Sequence, residues 1–241
     1  MPTRAEILDT LAASQTQVMA FFQGLSPEDL EHPATASGVP GEAPWRAKDH
    51  FAHLVKSDRN RQQLLRRVLA GETRDVQLRL QYPEGMPLPG ILGNWDALTP
   101  EEQERLEMAV ASVNQAYVDA HHDDSMEMRA SDYLAARQDT VNLLHQFTDD
   151  QLAAPVFTVV CEQTVGGVFA WEAGHAAEHI TSIEEGFRRG ACDTPNGRSI
   201  LRIFFTTSVH RACCTPGPGF RQRTEDLSKI EEVFFTSKPV E

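Results

Sequence analysis

WEAGHAAEHI, residues 171–180, sets two histidines four positions apart, with Glu178 directly before the second. Four residues along an α-helix turn through about 400°, so His175 and His179 leave one face a turn apart. A cation beside that face can take a nitrogen from each, as at other His-x-x-x-His sites. The same spacing also arises by chance on helices whose histidines are ordinary polar residues. The neighbours Ala173, Gly174, Ala176 and Ala177 are small, as expected where a helix comes close to its neighbours.

Outward from this stretch the chain reads as helices separated by Pro- and Gly-rich turns. Thr3 with Glu6 makes a capping box, and Leu8, Leu11, Val18, Phe21, Phe22 and Leu25 then recur near the helical period. Ser26 caps a short turn with Pro27 in first position, where no amide donor is missed. A second long helix opens at Trp45 and runs to about Gly71. QYPEGMPLPGILGNWD, residues 81–96, excludes a long regular element. Thr99-Pro100 restarts a helix that runs to about His121, where HHDDS (121–125) breaks it as a polar loop. Two further helices are expected, one over Ser131 to Phe147 and one from Val168 to Arg189.

An internal echo runs through this plan. LAA at 11–13 returns at 134–136, and SPEDLEHP (26–33) returns as TDDQLAAP (148–155). Trp45 stands eight residues before His53, and Trp171 eight before His179. The chain therefore reads as two helix–turn–helix halves, each closing on a helix that opens with Trp and carries a histidine two turns on. Two such pairs bury each other's apolar stripes as an antiparallel four-helix bundle. The expected fold class is all-α, with the bundle over 1–190, a long insertion (72–128) between core helices two and three, and a C-terminal extension (191–241). Connections of that length are unusual in bundles, so the insertion is either a cap or a crossover.

Composition excludes several functions. A net charge of −13 argues against nucleic acid, because phosphate neutralisation needs clustered Lys and Arg. The basic run KSDRNRQQLLRR (56–67) reads as a solvated helix face. No run of about eighteen apolar residues points to a membrane span, and MPTRAEILDT lacks the apolar core of a secretion signal. Four cysteines, Cys213 and Cys214 adjacent, make no disulfide framework and no CxxC pair. A cytoplasmic protein is expected, and its small-residue helix faces and apolar tail are compatible with a homodimer.

W-x-x-K-D-x-x-x-H at 45–53, followed by H-x-x-x-H at 175–179, resembles the pattern of the DinB-like superfamily. That group includes mycothiol- and bacillithiol-dependent transferases, the maleylpyruvate isomerase N-terminal domain and colibactin self-protection hydrolases, the last nearest in helix order. The resemblance covers about residues 4–70 and 129–190. It implies a divalent metal, zinc or nickel, held by His53, His175 and His179, with or without a low-molecular-weight thiol as cosubstrate. The 72–128 segment is longer than the family pattern, and the chain beyond about 190 has no counterpart in it.

His50, three residues before His53, is a rival ligand from the same side of the helix; repeat register and family pattern select His53. Three imidazoles from two helices leave positions open for water or substrate, the mark of a catalytic site. Two acidic residues are candidates for catalytic roles. Asp49 matches His175 in the repeat, and either orients a ligand imidazole or favours the helix start through the macrodipole. Glu178 is either a solvated charge or a base beside an activated water. HAAEH also fits the H-x-x-E-H string of inverted zinc proteases, but the helical surroundings do not supply the rest of that site. His145 reads as a core or edge histidine, Cys161 as a buried thiol, and Trp45, Trp171 and Phe169 as core anchors. Tyr82, Met86 and Trp95 are candidates for covering a pocket mouth. The tail offers a strand-like LRIFFTTSV (201–209) and a helical TEDLSKIEEVFF (224–235), separated by CCTPGPG. The expected function is a metal-dependent enzyme that acts on a small electrophilic molecule by thiol transfer or hydrolysis. The alternative is a non-catalytic bundle that binds a small molecule or a protein.

Overall fold

The computed structural model of the protein describes residues 2–71, 98–157 and 162–189. Tyr82, Met86, Trp95, Cys161 and the two tail segments lie outside them. The described residues are mostly helical, and the caps do much to decide where each helix begins. Helix α1 spans Arg4–Gly24, with the Thr3 hydroxyl accepting from the Glu6 amide and the Glu6 carboxylate accepting from the Thr3 amide at 2.7 Å. Ser26 starts the short α2 (Pro27–Glu31) in the same way. The chain then makes a small antiparallel hairpin, β1 (Pro33–Thr35) with β2 (Trp45–Arg46), and enters α3 (Ala47–Leu69) directly. Helix α4 (Pro100–Ala120) starts at the Thr99 cap and ends at the His121 turn, as its sequence signals predict.

Three boundaries differ from expectation. Helix α5 covers Met126–Leu144, earlier at both ends, because the Ser125 hydroxyl accepts from the Met128 amide and so caps it there. Trp45 does not open the second long helix; it sits in β2, paired with Thr35. The last helix, α7, begins at Val165 rather than Val168. It follows α6 (Asp149–Ala153) and a second hairpin, β3 (Pro155–Phe157) with β4 (Glu162–Thr164).

The echo in the sequence is thus an echo of structure. Long helix, short helix, hairpin, long helix occurs twice, as α1-α2-β1-β2-α3 and as α5-α6-β3-β4-α7, with α4 inserted between them. Helix α1 packs on α7 and α5, and α3 packs on α5, α7 and the inserted α4. Two apolar clusters result. One gathers Ile7, Leu11, Leu64, Leu144, Phe147 and Phe169; the other gathers Val18, Phe22, Phe51, Leu54, Tyr133 and Ile180. On each of the four long helices of the repeat, buried polar residues stand between these two sets: Ser14, Asp58, Gln62, Arg137, Thr140 and Glu172. Among the described residues no helix is long and apolar enough to cross a membrane.

Of the small residues around His175, Ala176 is buried in the second apolar cluster, but the tightest glycine contact of α7 lies elsewhere. Gly174 is exposed, and a Cβ there would meet nothing within 4 Å. Instead α7 crosses β1 at Gly186, where an added Cβ would overlap the backbone carbonyl of Ala34. Backbone cannot move aside cheaply, so Gly186→Ala should destabilise the protein by about 2 kcal/mol. Gly174→Ala should stabilise it by about 0.5–1 kcal/mol, the usual gain in a helix. Urea denaturation of the two variants beside wild type checks this pair; a harmless Gly186→Ala would contradict the close crossing.

Candidate metal centre

The hairpin-to-helix junction and α7 place four histidines at one point. His53 of α3 and His175 and His179 of α7 are buried, and one ring nitrogen from each lies within 4.8 Å of the other two. That is the order of two metal–nitrogen bonds of about 2 Å each. His175 Nε2 and His179 Nε2 face each other at 2.9 Å. The His53 ring lies 4.8 Å from the His179 ring and 5.3 Å from that of His175, centre to centre. Its Nδ1 is buried without a hydrogen-bond partner. No other cluster of metal-ligating side chains occurs among the described residues.

The nitrogens of His175 and His179 that point away from this centre are anchored. His179 Nδ1 contacts His50 Nδ1 at 2.8 Å, and His50 Nε2 reaches Thr35 Oγ1, on β1, at 2.8 Å. His175 Nδ1 lies 3.3 Å from Ser57 Oγ and 3.9 Å from the Glu172 carboxylate. Ser57 also donates to Glu172 at 3.2 Å, and Arg61 pairs with the same carboxylate. Imidazoles that bind a metal are held in this manner, each through its outer nitrogen. His50 is therefore a support for His179 and stands outside the triangle.

Burial favours the neutral form of His50, His53 and His179. Desolvation lowers His50 to about 4, and Asp49 opposes it only in part. Desolvation, and then the neighbouring imidazoles, hold His53 and His179 well below the ordinary histidine value. Neutral imidazole is the form that offers a lone pair to a metal. The donor set, the convergent nitrogens and the orphaned His53 Nδ1 together fit a divalent ion.

The other candidates are placed as follows. Asp49 accepts from the Arg46 amide and from Arg46 Nε at 2.9 Å, and from Arg46 Nη2 at 2.8 Å. Its carboxylate is thus engaged at the start of α3, in a network that also holds Glu31 and Lys48. Glu178 is partly exposed on α7, one residue from His179 and outside the triangle. Trp45 is buried and donates to Gln115 of α4 at 2.9 Å, whereas Trp171 is only partly buried, stacked between Arg61 and the His175 ring. Phe169 is a core anchor. His145 is exposed at the end of α5. His121 pairs with Asp124 at 2.6 Å, the polar break its sequence implied.

The basic run 56–67 corrects the expectation of a solvated face. Lys56, Ser57, Asp58 and Gln62 are all buried, and Arg61 is partly so. Helix α3 is covered by α4, α5 and α7, which leaves little of it for solvent. Thr35, Ser57 and Glu172 escaped the sequence reading. Glu172 alone carried a signal, a carboxylate three residues before His175 on the same helix.

Comparison with family models, with curated proteins and with solved structures finds no match to this chain.

The buried layer beside the centre sets a pH signature. Asp58 lies 3.4 Å from Arg137, and neither of its oxygens has a hydrogen bond. Desolvation, then the Glu172 charge, push it up to about 7, against the pull of Arg137 and Arg61. The unfolded chain ionises near the ordinary 3.8, so between these values the folded state holds the extra proton. The stability that Asp58 contributes is therefore complete below about pH 4 and lost as pH rises towards 7. Asp58→Asn removes this loss. Its stability relative to wild type should rise across that window by up to about 1.4 kcal/mol per pH unit. Denaturant titrations at several pH values read this directly, and a flat difference would remove Asp58 from the account.

Proposed function

We propose that this chain is a metal-dependent enzyme of the DinB-like type, built on an antiparallel four-helix bundle of α1, α3, α5 and α7. His53, His175 and His179 hold a divalent ion, zinc or nickel, and the enzyme acts on a small electrophilic molecule by thiol transfer or hydrolysis. One observation carries the reading: three buried imidazoles converge, and two are held through their outer nitrogens. The buried His53 Nδ1, which has no hydrogen-bond partner, supports the reading further, because buried polar atoms are rarely left unmet. The repeated helix–hairpin–helix units and the order of the two histidine motifs support the DinB-like assignment.

A divalent ion there supplies Lewis acidity, which makes a nucleophile from water or a thiol near neutral pH. The chain's own residues do the rest. His50 and Thr35 fix the His179 ring, and Ser57 and Glu172 fix His175. Trp45 and Trp171 flank the imidazoles and limit water. Glu178 is the proposed base from the α7 side, and Asp49 contributes by holding the start of the helix that carries His53. Three protein ligands leave room in a shell of four or more, which favours catalysis over a closed structural site.

Elemental analysis of untagged protein tests the reading. Wild type should carry about one zinc or nickel per chain, and His53→Ala and His179→Ala should carry none, the behaviour of a shared centre. Absence of metal from wild type, even after incubation with zinc and nickel, would end the proposal. His50→Ala should still load, but with affinity lowered about 10- to 100-fold, as measured by chelator competition. An unchanged affinity would show that His50 does not orient His179.

A further inference from the structure

Lys56 is a buried cation whose partner is a neutral amide. It is 8 % exposed, and its ammonium donates to Asn114 of the inserted α4. No carboxylate pairs with it among the described residues, although the chain as a whole carries −13. Buried ammonium groups are costly unless paired, and desolvation accordingly lowers this one to about 8. Lys56 follows His53 by three residues on α3, on the same side of the helix. Its charge is near enough to oppose protonation of His53.

The charges around the centre do not balance. Arg61 pairs with Glu172, and Arg137 lies 3.4 Å from Asp58. Lys56 has only the Asn114 amide, with no carboxylate paired to it among the described residues. Arg59 is turned to Asp132 and Tyr117. Lys56 thus joins α3 to α4 through a neutral partner, three residues from His53, and an anion there would meet its charge. A single ammonium beside one amide suits a carboxylate, whereas a phosphate dianion usually collects several donors.

We propose that the site takes small molecules that carry a carboxylate, with Lys56, seated by Asn114 of α4, as the group that receives it. The inference rests on the enzyme reading above and names its substrate class. Lys56 is then a specificity residue contributed by the repeat and oriented by the insertion.

The test is titration of full-length protein with acetate and with inorganic phosphate, followed by NMR at fixed ionic strength, before and after loading with zinc. Wild type should bind acetate more tightly than phosphate in both states. Lys56→Met should weaken acetate binding about tenfold, the effect of one charge-assisted bond, and Lys56→Arg should retain most of it. Asn114→Asp places a carboxylate on Lys56 from within and should suppress acetate binding while leaving the lysine in place, so the proposal stays testable if Lys56→Met does not fold. Equal acetate affinity in wild type, Lys56→Met and Asn114→Asp would overturn it, as would no acetate binding by wild type or a preference for phosphate. Failure of zinc to bind would instead count against the metal centre, and the acetate comparison in zinc-free protein would still decide the role of Lys56.

Discussion

An imidazole has two nitrogens, and in a dry interior each must find something to bond. That constraint governs this molecule. His175 and His179 turn one nitrogen towards each other at 2.9 Å, so their other nitrogens must be met from behind. His179 is met by His50, and His50 by Thr35. Were His179 to hold an ion through its inner nitrogen, its Nδ1 would donate to His50 Nδ1, and His50 Nε2 would donate to the Thr35 hydroxyl. Thr35 lies on a three-residue strand whose position is set by pairing with Trp45. The hairpin is small, yet it locks the rotation of α3 relative to α7, and Gly186 lets α7 come close enough for that lock to engage.

The polar layer beside the centre answers a second demand. A continuous apolar core would satisfy four helices in several registers, since one aliphatic turn packs much like the next. Asp58, Arg137, Glu172, Gln62 and Thr140 accept only one alignment. Gln62 donates to the Ala136 carbonyl at 2.6 Å and to Thr140 at 3.0 Å, and Arg137 donates to Tyr133 at 2.9 Å. Buried ionic groups are weak contributors to stability, and Asp58 costs some of it at neutral pH. In return the layer fixes the height at which Glu172 meets His175 and Ser57. Register of the helices and geometry of the imidazoles are one problem with one solution.

Legibility in the sequence followed the range of each interaction. Caps at Thr3, Ser26 and Thr99 act over three residues, and their helices start where the sequence places them. The pairing of His175 with His179 is a local property of helix pitch, and His53 emerged because the repeat supplied a second copy of the same layout. The hairpins were missed because strands of two or three residues leave no alternation to read. Burial of Lys56, Asp58 and Arg61 was missed for a different reason. Their charges and spacing are those of an ordinary solvated face, and what covers them includes α4 and α5, helices that follow much later in the chain. Ser57 and Thr35 are common residues that gain meaning only from the ring each one touches.

The inserted helix α4 divides the labour of the site. The repeat builds the imidazole triangle and its supports from α3, α7 and β1, with no residue of α4 among them. Helix α4 touches the same region from outside: Asn114 takes Lys56, Gln115 takes Trp45 and Ser37, and Tyr117 meets Arg59. Each of these partners lies on the repeat at the edge of the centre. A change in α4 would thus alter what surrounds the reacting position without disturbing the groups that hold an ion. On the proposed reading, chemistry resides in the repeated scaffold and selection in the insertion, as expected where function depends on the site more than on the fold. The length of the connection between α3 and α5, anomalous for a simple bundle, follows from that division.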